Sequence, residues 1–202
     1  IQSPTPMMAW LTWNWFAKEI SHSKMVEIAK GMQKHGLIDA GFNTIVLDDG
    51  WAVNTTDKNA LNYDANKFPK GISGLKEDLK KINDKLKVGI YSDAGSMTCE
   101  GYQPGSFGYE EQHIKLFDEW GVDMLKYDFC YNQASAKISY SQMGKVIAAL
   151  NKKRKTENKV PFVFNICEWG HNQPWTWGAE VGGSSWRATS DALIDWIEAT
   201  HP

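Results

Sequence analysis

Between Val122 and Tyr131 the chain reads Val-Asp-Met-Leu-Lys-Tyr-Asp-Phe-Cys-Tyr. An apolar strand runs into Lys126 and then Asp128, and Cys130 follows two residues on. That order points to an anion held at the mouth of a parallel sheet. A carboxylate there can act as a nucleophile, and a neighbouring lysine favours its charged form. An Asp at a strand end equally often caps the next turn or helix, so the motif alone leaves both roles open. Four other apolar runs end in similar chemistry. They lead into Asp48-Asp49, Tyr91-Ser-Asp93, Cys167-Glu-Trp169, and Trp186-Arg187 with Asp191 beyond. Capping alone does not explain five such ends in succession. Two carboxylates flanking a glycosidic bond are the minimum for its hydrolysis, and Asp128 and Asp191 are the candidates. Spacing alone does not say which is nucleophile and which is acid.

These side chains need strands to aim them. Short apolar runs at residues 7–13, 44–48, 87–92, 122–128, 162–167 and 185–189 read as strands buried on both faces. Amphipathic segments at residues 21–39, 74–86, 109–120 and 138–153 read as helices, each with its apolar residues on one stripe. Strands alternating with helices imply a parallel sheet with helices outside it. An open nucleotide-binding sheet usually carries a Gly-rich turn after its first strand. Here that turn is Trp13-Asn-Trp-Phe16. The pattern therefore predicts an α/β chain of the (β/α)8 TIM-barrel type. About six β/α units are present, where a full barrel has eight strands and about 250 residues. In a barrel all six strand ends converge on one face, where sites are built.

Composition narrows the chemistry. Lys plus Arg (22) nearly balances Asp plus Glu (24), a net charge of −2 with no footprint for nucleic acid or an anionic membrane. No apolar run has the length of a membrane span. The chain starts at Ile1 without a signal-like apolar segment, which reads as a processed or trimmed chain. Ten Trp residues supply flat apolar faces, which suit either an aromatic core or a sugar site. Trp13, Trp51 and Tyr91 beside the acidic pair favour a sugar. Asp48 and Asp49 can accept hydrogen bonds from adjacent sugar hydroxyls or bind a hard cation such as magnesium. The five His residues (22, 35, 113, 171 and 201) are scattered, so a zinc site is not expected. The three Cys (99, 130 and 167) allow at most one disulfide. Asn54-Thr-Thr56 is a glycosylation sequon and favours secretion mildly.

The chain resembles the catalytic barrel of glycoside hydrolase family 27, the retaining α-galactosidases (melibiases) and α-N-acetylgalactosaminidases. The resemblance rests on Pro6-Met-Met-Ala-Trp-Leu-Thr-Trp13, Leu47-Asp-Asp-Gly-Trp51, Lys67-Phe-Pro-Lys-Gly71, Gly89-Ile-Tyr-Ser-Asp-Ala-Gly95 with Thr98-Cys99, and Pro104-Gly-Ser-Phe-Gly108. It continues through Leu125-Lys-Tyr-Asp-Phe-Cys130, Cys167-Glu-Trp169 and Ser185-Trp-Arg-Ala-Thr-Ser-Asp191, in family order over nearly the whole chain. Ala9 and Leu11-Thr12 depart from the usual first motif.

The resemblance implies a function, cleavage of terminal α-D-galactosyl residues through a covalent glycosyl-Asp intermediate. It makes Asp128 the nucleophile and Asp191 the acid/base. Asp48 and Asp49 would hold sugar hydroxyls, with Lys126 and Arg187 in the same subsite. Trp13 and Tyr91 would form aromatic walls. Cys99 and Cys130 would form a disulfide beside the site, leaving Cys167 free. Cys167, Glu168 and Trp169 would line the loop that sorts galactose from N-acetylgalactosamine. There the bulk of Glu168 favours plain galactose. No cofactor and no metal is implied, and the partner is a galactoside or oligosaccharide, with the remaining part of the parent enzyme a further one. The family places the protein outside the cell, or in a lysosome or vacuole. Residues 1–202 would form a partial barrel domain, without the last barrel strands and the C-terminal β-sandwich of the family. The alternatives are β-L-arabinopyranosides or α-N-acetylgalactosaminides as substrates, or an inactive fragment that at most binds sugar.

Overall fold

The computed structural model describes residues 7–55, 57–101 and 103–191. Pro6 of the first motif, Thr56 of the sequon, His201 and the helix expected after the sixth strand lie outside the described residues. Among the described residues six strands follow one another: β1 (Ala9–Leu11), β2 (Thr44–Leu47), β3 (Lys87–Asp93), β4 (Met124–Asp128), β5 (Val163–Cys167) and β6 (Ser185–Trp186). All pairings are parallel, and the spatial order is β1-β2-β3-β4-β5-β6. The sheet is that of an incomplete (β/α) barrel, as expected.

Among the described residues five α-helices lie between the strands: α1 (Trp13–Phe16), α2 (His22–Lys34), α3 (Gly71–Ile82), α4 (Glu110–Glu119) and α5 (Ala136–Thr156). Each long helix lays one stripe on the sheet. Met25, Ala29 and Met32 do so from α2, Ile72, Leu75 and Leu79 from α3, Ile114 and Phe117 from α4, and Tyr140, Met143 and Ile147 from α5. Burying side chains of this size is worth about 1.5–3 kcal/mol each, which is what fixes the helices against the sheet.

Several boundaries differ from those read in the sequence. The segment expected as a strand over 7–13 keeps only its middle, because Trp13 opens α1. The helix expected over 21–39 stops at Lys34, where Gly36 turns left-handed at φ 72°. The helix expected over 74–86 sits one turn earlier. Gly71, at φ 67°, begins it, and Asn83 ends it. The sixth strand ends at Trp186, although the Arg187 N–H still donates to the Ile166 carbonyl at 2.9 Å.

The two faces of β3 divide the labour. Tyr91 and Asp93 point inward and Ser92 points outward, as a strand's period of two requires. Ser92 Oγ lies 2.7 Å from Ser106 Oγ, which lies 2.9 Å from His113 Nδ1 on α4. His113 Nε2 sits 3.1 Å from the Lys58 carbonyl, which can only accept. Nε2 therefore carries the proton, Nδ1 accepts from Ser106, and Ser106 accepts from Ser92. Burial holds His113 neutral and pushes its pKa down from 6.5 to about 4. A folded-state pKa below the unfolded one means stability present above about pH 6.5 and lost as the pH falls towards 4. We expect the unfolding free energy of a His113→Asn variant to lose this part of its pH dependence. Paired urea titrations across pH 4–7 measure the difference, on the order of 2–3 kcal/mol. Parallel curves for the two proteins would refute it.

Candidate active site

The inward faces of β2 to β5 stack their polar residues in two rows. Tyr91, Lys126 and Asn165 are register partners in one row, and Asp93, Asp128 and Cys167 in the next. Asp48 joins them just past the end of β2. A cavity of about 110 Å³ opens above these rows. Its acidic walls are Asp48, Asp49, Asp128 and Asp191, its cation is Lys126, and Trp13, Tyr91 and Trp169 supply ring faces. Cys99 of the disulfide completes it. Residues from five strand ends and the first helix thus meet in one place.

The central contact is a buried ion pair. Lys126 Nζ lies 2.7 Å from Asp48 Oδ2, with side chains only 6% and 2% exposed. The ammonium also stands 5.3 Å over the Tyr91 ring, which bridges the gap between the second and fourth strands. Burial pushes the lysine's pKa down, but the attraction of Asp48 and Asp128 outweighs it and leaves the pKa above its ordinary value. The Asp48 backbone N–H is fixed by Thr12 Oγ1 at 2.9 Å, a contribution of the first motif that the sequence does not announce.

The sequence led us to expect that Lys126 would keep Asp128 ionised. The structure assigns the lysine mainly to Asp48. Asp128 is 5% exposed, and burial raises its pKa to about 6, with Lys126, the Phe129 N–H and the Cys167 thiol offsetting only part of the rise. Among the described residues the close ion pair of Lys126 is with Asp48, and Asp128 feels the lysine only as a nearby charge. Asp128 is thus mostly ionised at neutral pH and loses its charge just below it. Asp49 is likewise raised to about 6 by burial, although the Glu100 and Gly50 N–H groups favour its charge. Its Oδ2 accepts from Glu100 at 3.1 Å and its Oδ1 from Gly50 at 2.8 Å.

Asp191 is exposed at the cavity rim and pairs with Arg187 at 2.7 Å. Arg187 also donates to the Thr189 carbonyl at 3.0 Å and reaches Cys167 Sγ at 4.0 Å. Cys167 is a buried free thiol, and burial pushes its pKa up, which keeps it protonated. The expected Cys99–Cys130 disulfide is present and ties the loop after β3 to the end of β4.

Four of the residues expected around the sugar do not line the cavity: Cys167 lies buried beneath it, Arg187 stands behind Asp191, and Trp51 and Glu168 turn away from it. Trp51 is not a wall of the cavity. It is 2% exposed, donates its indole N–H to the Tyr91 carbonyl at 2.8 Å, and packs edge-on against Phe117 and Trp120. Glu168 is fully buried and does not line the cavity. Its Oε2 accepts from both the backbone and the side-chain amide of Asn172 at 2.7 Å, so it shapes the loop from behind. Trp169, at φ 55°, takes the cavity-facing place. Among the described residues one set of acidic and sulfur ligands lies close enough for a metal ion: Asp93, Cys99, Asp128 and Cys130. Both of its sulfurs are committed to the disulfide.

A family model described as alpha galactosidase A matches residues 5–196. An alpha-galactosidase of Coffea arabica is 42% identical over 97% of the chain, covering 50% of its own length. One of Cyamopsis tetragonoloba is 39% identical over 97% of the chain and 46% of its own length. The chain therefore spans about half the length of the curated relatives it matches. Among solved structures, an alpha-galactosidase of Saccharomyces cerevisiae with raffinose superposes with a TM-score of 0.77 at 36% identity, over 91% of this chain and 39% of that one.

Proposed function

The chain belongs to the alpha-galactosidase family of glycosidases, and from that premise we propose that the protein carrying it hydrolyses terminal α-D-galactosides with retention. The observation that carries this reading is the shared cavity of Asp128 and Asp191, with Asp48 and Asp49 beside them. Asp128 attacks the anomeric carbon while Asp191 protonates the departing glycosidic oxygen. The bond to the aglycone breaks as the bond to Asp128 forms. Asp191 then takes a proton from water, which attacks the same carbon and releases galactose and free Asp128. Two inversions give net retention. The acidic pair accepts from ring hydroxyls, and Trp13, Tyr91 and Trp169 cover apolar ring faces. A raffinose-like oligosaccharide is a suitable substrate class. The disulfide supports maturation in an oxidising compartment, hence a secreted, lysosomal or vacuolar protein.

The test is hydrolysis of p-nitrophenyl α-D-galactopyranoside by the whole protein, followed by proton NMR. α-Galactose appears first if the reading is right, and β-galactose as the first anomer would overturn retention. Because Asp128 titrates at about 6, kcat/KM should fall below that pH as the nucleophile gains a proton. A flat profile between pH 4 and 7 would contradict it. Rates on the β-L-arabinopyranoside and the α-N-acetylgalactosaminide rank the alternatives. The large Trp169 side chain at the cavity wall favours the unsubstituted sugar.

A further inference from the structure

We infer that Asp93, which does not line the cavity, is a positioning residue that holds the backbone behind the nucleophile, an inference that rests on the function proposed above. Asp93 ends β3 as the register partner of Asp128 and is fully buried. Its carboxylate spans two chain segments. Oδ1 accepts from the Gly95 N–H at 2.7 Å, and Oδ2 accepts from the Cys130 N–H at 2.9 Å. The main chain repeats the join, with Ala94 N–H donating to the Asp128 carbonyl at 2.9 Å and Ser96 N–H to that of Tyr131 at 3.1 Å. The two loops touch so closely that a Cβ on Gly95 would stand 2.0 Å from the Cys130 carbonyl oxygen.

The two amides after the nucleophile are thus held by two carboxylates. Asp128 Oδ1 takes the Phe129 N–H at 3.1 Å, and Asp93 takes that of Cys130. With Cys130 satisfied by Asp93, Asp128 Oδ2 has no backbone donor among the described residues competing with the anomeric carbon. Both partners of Asp93 are donors, so both of its oxygens must accept. An asparagine offers one acceptor and one amide nitrogen, and that nitrogen would face a backbone N–H.

Charge gives the second signature. Asp93 faces Asp128 from β4 and Asp49 from the loop after β2, and the hydroxyls of Tyr91, Tyr127 and Tyr140 also feel its field. Burial, with the fields of Asp128 and Asp49, raises the Asp93 pKa to about 8, so near pH 6, where Asp128 titrates, Asp93 is mostly uncharged and its replacement by asparagine leaves the local charge unchanged.

The experiment compares the full-length wild type with Asp93→Asn and Asp93→Glu. For Asp93→Asn we expect kcat to fall 10- to 100-fold, KM to stay within about threefold, and the acid limb of kcat/KM to stay in place, since Asp93 is mostly uncharged where Asp128 titrates. Asp93→Glu keeps both acceptor oxygens but displaces them by one methylene, so it should lose kcat as well. An Asp93→Asn enzyme with unchanged kcat, or with an acid limb displaced by half a pH unit or more, overturns the inference. Amide hydrogen exchange at Cys130 decides it without turnover. At least tenfold faster exchange in Asp93→Asn supports the clamp, and an equal rate refutes it. Should the wild type cleave no α-galactoside, the proposed function falls, and the exchange result still stands or fails alone.

Discussion

Replacing Asp128 with alanine lowers kcat/KM for an aryl α-galactoside by about 10⁴-fold or more, with folding intact. No other carboxylate is placed to take over. Asp48 is tied to Lys126, both oxygens of Asp49 accept backbone donors, and Asp191 stands at the exposed rim against Arg187. Folding should survive because burial already disfavours the charged form of Asp128, so the substitution removes a cost rather than a support. Azide supplied in the assay enters the vacated space and attacks from the face that Asp128 occupied. The product is then β-galactosyl azide. Circular dichroism and a thermal melt report the fold, and chromatography reports the azide product. Activity within tenfold of wild type would move the nucleophile elsewhere.

Lys126→Met should cost 3–5 kcal/mol of stability, the effect of breaking one side of a buried ion pair. The loss arises less from the missing attraction than from Asp48, which is left charged and 2% exposed without its partner. Methionine fills similar volume, so packing is a minor part of the change. Urea unfolding at neutral pH measures it. Lys126→Met combined with Asp48→Asn should recover a good part of the loss, because the orphaned charge is gone. A single-variant cost below 1 kcal/mol would show that water reaches the pair. Activity should fall in both variants, since both groups line the cavity.

Much of this site was readable before any coordinates. Runs such as Met124–Asp128 are short, apolar and closed by a carboxylate, and a barrel gathers such ends without further information. What the sequence hides is side-chain direction after a strand ends. Trp51 follows Asp49 by two residues, and its fate depends on Gly50, whose φ of 99° turns the chain and sends the indole under Tyr91. A side chain at Gly50 would meet the Lys18 carbonyl at 2.6 Å, a contact across 32 residues that no local pattern encodes. Lys126 was visible as a site residue, yet its partner lies two strands away. Asp93 was visible as a strand end, but its role exists only because two loops meet. Helix ends at Gly36 and Gly71 were missed for a simpler reason. Both glycines adopt positive φ, and the apolar periodicity runs past the first and begins after the second.

The spatial order of the strands is also their order in the chain, and this bears on how the protein is made. Each of the strands β2 to β6 leaves the ribosome with one sheet neighbour already synthesised, one β/α unit earlier. At about 5–20 residues per second such a sheet can extend one strand at a time. The Lys126–Asp48 pair closes with the fourth strand, whereas Asp191 arrives only after the sixth. The nascent chain therefore neutralises its buried charge early and acquires its exposed rim carboxylate late. Synthesis itself keeps the costly interior from waiting, uncompensated, for the sixth strand.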